Sequence, residues 1–162
     1  MKRGSGDGDR NGGKYLRKLL PIVVFFFLST HVFGQEAEIH KAAYNGDINK
    51  VRELLKKGVN PDERDSFGGT ALHAAMFQKN MEIVKVLLEN QFDVNAVGSQ
   101  NGYTPLHDAV WAENVEAVKL LLDKGANTNI KGKDGLTPYG KAKKEGKKEI
   151  IKLFESRGIM EN

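Results

Sequence analysis

The feature that most constrains the fold of this chain is a repeat of 33 or 34 residues. The segment Thr104-Pro-Leu-His107 has counterparts in Thr70-Ala-Leu-His73 and Thr137-Pro-Tyr-Gly140, at spacings of 34 and 33 residues. Paired leucines keep the same phase: Leu54-Leu55, Leu87-Leu88 and Leu121-Leu122. Self-similarity at such a period indicates stacked structural units, each of which contacts only its neighbours.

Each unit is predicted to contain two short helices and a polar, glycine-containing loop. Thr104 suits the N-cap of the first helix, and Pro105 suits its first turn, where no N–H partner is needed. The stretch 115–122 gives the second helix an apolar face. Helices this short are not stable alone in water, so stacking must bury one alanine of each first helix. These alanines are Ala42, Ala75, Ala109 and Ala142.

The pattern resembles the ankyrin repeat family. Its Thr-Pro-Leu-His-x-Ala signature is present as Thr104-Pro-Leu-His-Asp-Ala109, and 93–95 and 126–129 resemble the segment that leads into the family's β-turn. The resemblance implies an all-α fold: an ankyrin-repeat solenoid of stacked helix-turn-helix units joined by short β-turn loops. The predicted domain spans 35–162, with repeats at about 37–69, 70–103, 104–136 and 137–158.

The first 34 residues have the order of a secretory signal peptide. A basic stretch, 14–18, precedes a short apolar run, 19–28, and Val32-Phe33-Gly34 ends in a small residue at a plausible cleavage site. The run is shorter than the roughly 20 apolar residues of a bilayer span. We therefore expect a cleaved signal, a mature chain that starts near Gln35 without a stable membrane span, and a periplasmic or secreted protein. An uncleaved membrane anchor and a structural segment are the alternatives.

Charge and composition limit the possible partners. The formal charge of +4 belongs to residues 1–34, which hold six of the 25 Lys and Arg residues and two of the 21 Asp and Glu residues. The remainder is neutral and gives no reason to propose a nucleic-acid partner. The absence of cysteine excludes disulfides, thiol nucleophiles and thiolate zinc sites.

The histidines argue against catalysis. His40, His73 and His107 occupy one repeat position, where the family resemblance implies a structural histidine that links adjacent loops. No phosphate-binding loop or dinucleotide fingerprint is present. Acids on helix surfaces, such as Asp108, Glu113 and Glu116, are expected to be solvated. The sequence therefore predicts a protein that is not an enzyme, with no cofactor, no metal site and no catalytic residues.

The resemblance implies that a partner binds the concave face of the first helices and the loop tips. Three aromatic residues, Tyr44, Phe77 and Trp111, share one position of the first helix, and we call them the aromatic ladder. Aromatic residues beside polar groups are typical of binding surfaces, although the rings could instead fill space between helices. The predicted partner-binding residues are Tyr44, Phe77, Trp111, Asn45, Gln78, Asp108, Arg64, Phe67, Gln100, Lys131 and Lys133.

Two local features complete the prediction. The last repeat carries five lysines, at 141, 143, 144, 147 and 148, which are typical of a solvated end cap. The more specific alternative is a patch that binds phosphate or acidic groups. Gly58 and Gly125 follow second helices, but Gln91 takes that position in the second repeat. A left-handed conformation is common there, so Gln91 is expected to carry a steric cost.

The most specific functional hypothesis is a monomeric, exported module that binds another protein. Two alternatives remain open: a small-ligand or carbohydrate binder that uses the aromatic ladder, and a membrane-anchored regulator of an exported enzyme. The fold alone does not name the partner, because one fold serves many functions.

Overall fold

The computed structural model describes residues 38–160, and this part of the chain is helical without strands. The predicted signal peptide, residues 1–34, lies outside the described residues. Eight helices follow in the described part. They are α1 (38–45), α2 (Ile48–Lys56), α3 (Ala71–Ala74, continued by a 3-10 turn Ala75–Phe77), α4 (Met81–Glu89), α5 (Pro105–Trp111), α6 (Val115–Asp123), α7 (Pro138–Lys144) and α8 (Lys148–Ser156).

The helices form four pairs that stack side by side, which confirms the predicted solenoid. Inner helices α3, α5 and α7 pack against one another, and outer helices α2, α4, α6 and α8 form a second row. The predicted alanines are buried at the inner contacts, where their small size allows close approach of the helices. One large side chain of each outer helix is fully buried at the equivalent position: Leu54, Leu87, Leu121 and Phe154.

A threonine and a histidine fix the start of the inner helices α3 and α5, as expected. Thr104 is the N-cap of α5, and its backbone N–H donates to Nδ1 of His107 (3.1 Å). The opposite nitrogen, Nε2, therefore carries the proton and donates to the carbonyl of Leu136 in the next loop (3.1 Å). His73 makes the same contacts with Thr70 (3.0 Å) and with the carbonyl of Tyr103 (3.1 Å).

Burial keeps these histidines neutral, which matches a structural role. Desolvation lowers the pKa of His73 to about 4 and also lowers the pKa of His107. His40 reaches the carbonyl of Gly69 through Nε2 (3.2 Å), which gives the same link one repeat earlier. Each histidine thus joins its own helix to the following loop.

Left-handed residues end the outer helices. Gly58, Gly125 and Gly158 have φ values of 77°, 80° and 72°, and Gln91 has φ 68° at the equivalent position. The expectation that Gln91 is left-handed is confirmed. A side chain in this conformation bears a steric cost that glycine avoids.

The loops between repeats are tight turns, and the second one contains the extra residue of the 34-residue spacing. The first turn is closed by the Gly68 N–H and the Asp65 carbonyl (2.9 Å), which are three residues apart. The second is closed by the Gly102 N–H and the Gly98 carbonyl (2.9 Å), which are four residues apart. The extra residue is therefore accommodated within the turn itself.

Candidate partner-binding surface

The aromatic ladder is a continuous row of rings across three repeats. Tyr44 lies in α1, Phe77 ends the 3-10 turn after α3, and Trp111 ends α5. Their ring centroids are separated by 6.2 Å between Tyr44 and Phe77 and by 5.5 Å between Phe77 and Trp111. The rings therefore contact their neighbours along the stack.

These rings remain open to solvent although the adjacent helix positions are buried. The exposed fractions are 58% for Tyr44, 40% for Phe77 and 56% for Trp111, whereas Met76 and Val110 are fully buried. Aromatic side chains usually remove much of their surface from water on folding. A contiguous exposed row of this kind marks an interaction surface more often than scattered apolar residues do.

The polar neighbours of the aromatic ladder differ in their surroundings. Asn45 is exposed beside Tyr44. Gln78 is half-buried, and its amide nitrogen donates to the carbonyls of Ala75 (3.1 Å) and Asn80 (2.9 Å). The amide of Gln78 therefore shapes the end of the inner helix in the second repeat, a role that the repeat pattern did not indicate.

Asp108 departs from the expectation of a solvated surface acid, which is wrong for this residue. Its exposed fraction is only 7%. Burial raises the pKa of its carboxyl to about 7, the positive charge of Lys141 opposes this rise, and the negative charge of Asp65 adds to it. The carboxyl of Asp108 therefore gains or loses its proton near neutral pH.

The Asp108 carboxylate is not satisfied by the protein itself. Among the described residues, no hydrogen bond or ion pair reaches its side chain, and no fully buried side-chain oxygen lacks a hydrogen-bond partner. The carboxylate oxygens of Asp108 must therefore keep a small solvent contact. An external donor could approach them from that side.

A polar cluster that the repeat pattern did not indicate joins Tyr103 and Asp134 to the last repeat. The lysines of the last repeat were expected to be solvated, but Lys141 is only 8% exposed, so the expectation is wrong there. Its ammonium group contacts Glu145 Oε1 (2.8 Å) and the hydroxyl of Tyr103 (3.1 Å), and it lies 4.6 Å from the Tyr103 ring centroid. The same hydroxyl donates to Asp134 Oδ2 (2.7 Å).

The electrostatics of this cluster favour a charged lysine. Burial alone lowers the pKa of Lys141, but the contacts with Glu145 and Tyr103 outweigh it and raise the pKa above its ordinary value. One signal in the sequence could have identified the cluster. Lys141 and Asp108 occupy the same position in adjacent repeats and carry opposite charges.

Three of the predicted loop-tip residues hold the loops together. Arg64 donates to the carbonyl of Val97 (2.8 Å), Gln100 to that of Ser66 (2.6 Å) and Lys133 to that of Ser99 (3.0 Å). Each bond joins two successive loops, so these side chains have a structural contact besides any role in binding. Phe67 and Lys131 are exposed at the tips.

The described residues contain no group of three or more His, Cys, Asp or Glu side chains that could hold a metal ion. In the same part of the chain, none of the helices has the length and apolar character that crossing a bilayer requires.

The repeats of this chain are similar to those of known proteins. A family model of three ankyrin repeats matches residues 39–132. The potassium channel AKT2/3 of Arabidopsis thaliana is 36% identical over 63 residues, which are 39% of this chain and 8% of the channel. Human ankyrin repeat domain-containing protein 39 is 40% identical over 55 residues, which are 34% of this chain and 30% of that protein.

The chain thus spans under a third of the length of either relative, and the likeness concerns the repeats rather than the whole proteins. The matched region is more than half of the 162 residues, and it includes the histidine links to Gly69 and Tyr103 and the three rings of the aromatic ladder. This chain belongs to the ankyrin repeat family.

Proposed function

We propose that this protein is a non-enzymatic module that binds a partner protein through the aromatic ladder and the adjacent loop tips. Ankyrin repeats generally mediate protein–protein interactions. The observation that carries the proposal is the exposure of Tyr44, Phe77 and Trp111 at 58%, 40% and 56% in one contiguous row. Exposed aromatic residues of this kind are the residues that most often dominate binding energy in protein interfaces.

The surface around the rings supports a protein partner. Loops that are cross-linked by Arg64, Gln100 and Lys133 form a rigid edge next to the groove. A pre-organised surface loses less conformational entropy when it binds. The planes of Phe77 and Trp111 are inclined at 89°, so these two rings do not form one flat platform for a sugar ring.

The proposed location is outside the cytoplasm, and it rests on the order of basic, apolar and small residues in 14–34. The partner is then another exported protein, which this module would protect, inhibit or assist. An uncleaved leader would instead tether the same binding surface to the membrane.

The test is affinity capture from the extracytoplasmic fraction of the native host with the protein and with its Trp111→Ala variant. The proposal predicts that a specific protein is captured by the unmodified protein and that the variant loses it, while the variant keeps nearly all of its stability. Saturable glycan binding without a captured protein would favour the carbohydrate alternative. Undiminished capture by a destabilised variant would make the ladder a packing element.

A further inference from the structure

Asp108 lies beside the aromatic ladder, on the same helix as its last ring. Asp108 precedes Trp111 by three residues and Ala112 by four, and residues at these spacings share one face of a helix. Asp108 is only 7% exposed, yet no described side chain pairs with its carboxylate. A buried carboxylate without a partner is costly, so the site favours a donor from outside the chain.

Lys141, the cation that acts on Asp108, is already engaged by other groups. The Lys141 ammonium is held by Glu145 Oε1 (2.8 Å) and by the Tyr103 hydroxyl (3.1 Å). The Arg64 guanidinium donates to the carbonyl of Val97 (2.8 Å). Neither group forms an ion pair with Asp108.

A second carboxylate increases the negative potential at this point. Asp65 acts on Asp108 by charge repulsion, and its own Oδ1 accepts from the backbone N–H groups of Phe67 (2.9 Å) and Gly69 (3.0 Å). These bonds hold Asp65 within its turn. The groove therefore has two carboxylates between the first loop and α5, opposed by the charge of Lys141, with exposed rings next to them.

We propose that Asp108 receives a lysine or arginine side chain from the protein segment that lies along the aromatic ladder. This inference rests on the proposed function and names the chemistry of the partner. The stem of a lysine or arginine would cover the adjacent ring, and its charged end would reach the carboxylate. A cation near Trp111 also gains a favourable interaction with the face of the indole. A neutral or acidic segment would leave the buried carboxylate without compensation.

The experiment uses a displayed library of random peptides of about twelve residues, selected on the full chain. Selected peptides are then synthesised with each arginine replaced by citrulline and each lysine by norleucine, which remove the charge and keep the length. Affinity is measured by Trp111 fluorescence. We expect one basic residue to be enriched, and its neutral replacement to weaken binding about tenfold or more.

The matched variants are Asp108→Asn and Glu89→Gln, which each remove one negative charge. Glu89 is exposed at the C-terminal end of outer helix α4. Asp108→Asn is expected to reduce the affinity for the basic peptide about tenfold or more and to erase the difference between the basic and neutral peptides. Glu89→Gln is expected to change neither. Circular dichroism shows that both variants are folded before binding is measured.

The pH dependence gives a second readout. The affinity of the basic peptide should rise between pH 6 and 8, because the carboxylate must be ionised to pair and burial raises its pKa to about 7. The charged groups that act on Asp108 are Lys141 on α7 and Asp65 in the first loop. Burial lowers the pKa of His73 to about 4 and also lowers the pKa of His107, so both are less protonated than a free histidine over that range. In Asp108→Asn the rise should disappear.

The outcomes separate this inference from the proposed function. Peptides that need Trp111 but show no preference for a basic residue, and that bind Asp108→Asn as well as the unmodified protein, would overturn the role of Asp108 and leave the ladder as a binding surface. A selection that yields no peptide dependent on Trp111 would count against both.

Discussion

Replacement of Asp108 by asparagine should stabilise the protein at alkaline pH. The asparagine side chain has the same shape but cannot ionise, and ionisation of Asp108 destabilises the folded state. Burial raises the pKa of Asp108 from 3.8 to about 7, against the attraction of Lys141. A group whose pKa is raised in the folded state makes its full contribution to folding stability below the pKa that it has in the unfolded chain. This contribution is lost as the pH rises through the folded-state pKa. For Asp108 the window runs from 3.8 to about 7.

The magnitude follows from the size of the shift. Each pKa unit corresponds to about 1.4 kcal/mol, so complete ionisation of Asp108 costs the folded state about 4 kcal/mol as an upper figure. Part of that cost is already present at pH 5. Between pH 5 and pH 8.5 the free energy of unfolding of Asp108→Asn should therefore gain about 2 to 3 kcal/mol relative to the unmodified protein.

Urea denaturation followed by circular dichroism at several pH values measures this difference. His73 and His107 act in the opposite direction, because their lowered pKa values make the folded state lose stability as the pH falls below 6.5. Both proteins contain these histidines, so they cancel in the difference between variant and unmodified protein. Glu116→Gln is the control for the loss of one exposed charge. A difference that is the same at pH 5 and pH 8.5 would refute the argument that burial of Asp108 opposes its ionisation.

Three further predictions follow from the repeat structure and the leader. Gln91→Gly should raise the free energy of unfolding by a fraction of 1 kcal/mol, because glycine relieves the strain at φ 68° but adds entropy to the unfolded chain; a clear fall of the urea midpoint would contradict this. Asn114→Ala should lower the free energy of unfolding by about 2 to 3 kcal/mol, because Asn114 caps α6 and also donates to the carbonyls of Met76 (3.0 Å) and Gln78 (2.8 Å). The control Asn80→Ala removes only a cap and should lower it by about 1 kcal/mol. Equal losses in the two variants would argue against the link between repeats. The intact mass of protein from the native host should correspond to a chain that begins at or near Gln35, and full-length protein held in the membrane would exclude cleavage.

The sequence predicted those parts of the structure that each repeat determines by itself. The N-cap at Thr104, the buried alanines and the left-handed Gln91 all follow from local pattern and phase. The positions of Tyr44, Phe77 and Trp111 in one row follow from the repeat spacing. In these cases the information is contained in one helix or one turn.

The contacts between repeats were harder to predict. Asp108 is buried, and charges of two other repeats, at Lys141 and Asp65, act on it, which its sequence neighbours do not indicate. The partners of Lys141 combine a residue one turn away, Glu145, with a residue 38 positions earlier, Tyr103. Arg64, Gln100 and Lys133 likewise bond to carbonyl groups of adjacent loops. Such contacts depend on side-chain conformations after stacking, which repeat phase alone does not specify.

The central claim is that the partner covers the aromatic ladder, and Trp111 tests it directly because it is the only tryptophan. Iodide quenching of its fluorescence is measured in the free protein and in the protein saturated with its captured partner. With an exposed fraction of 56%, Trp111 should be quenched readily in the free protein and be shielded in the complex. Equal quenching in the free and bound states would show that the partner binds elsewhere and would contradict the assignment of the ladder as the binding surface.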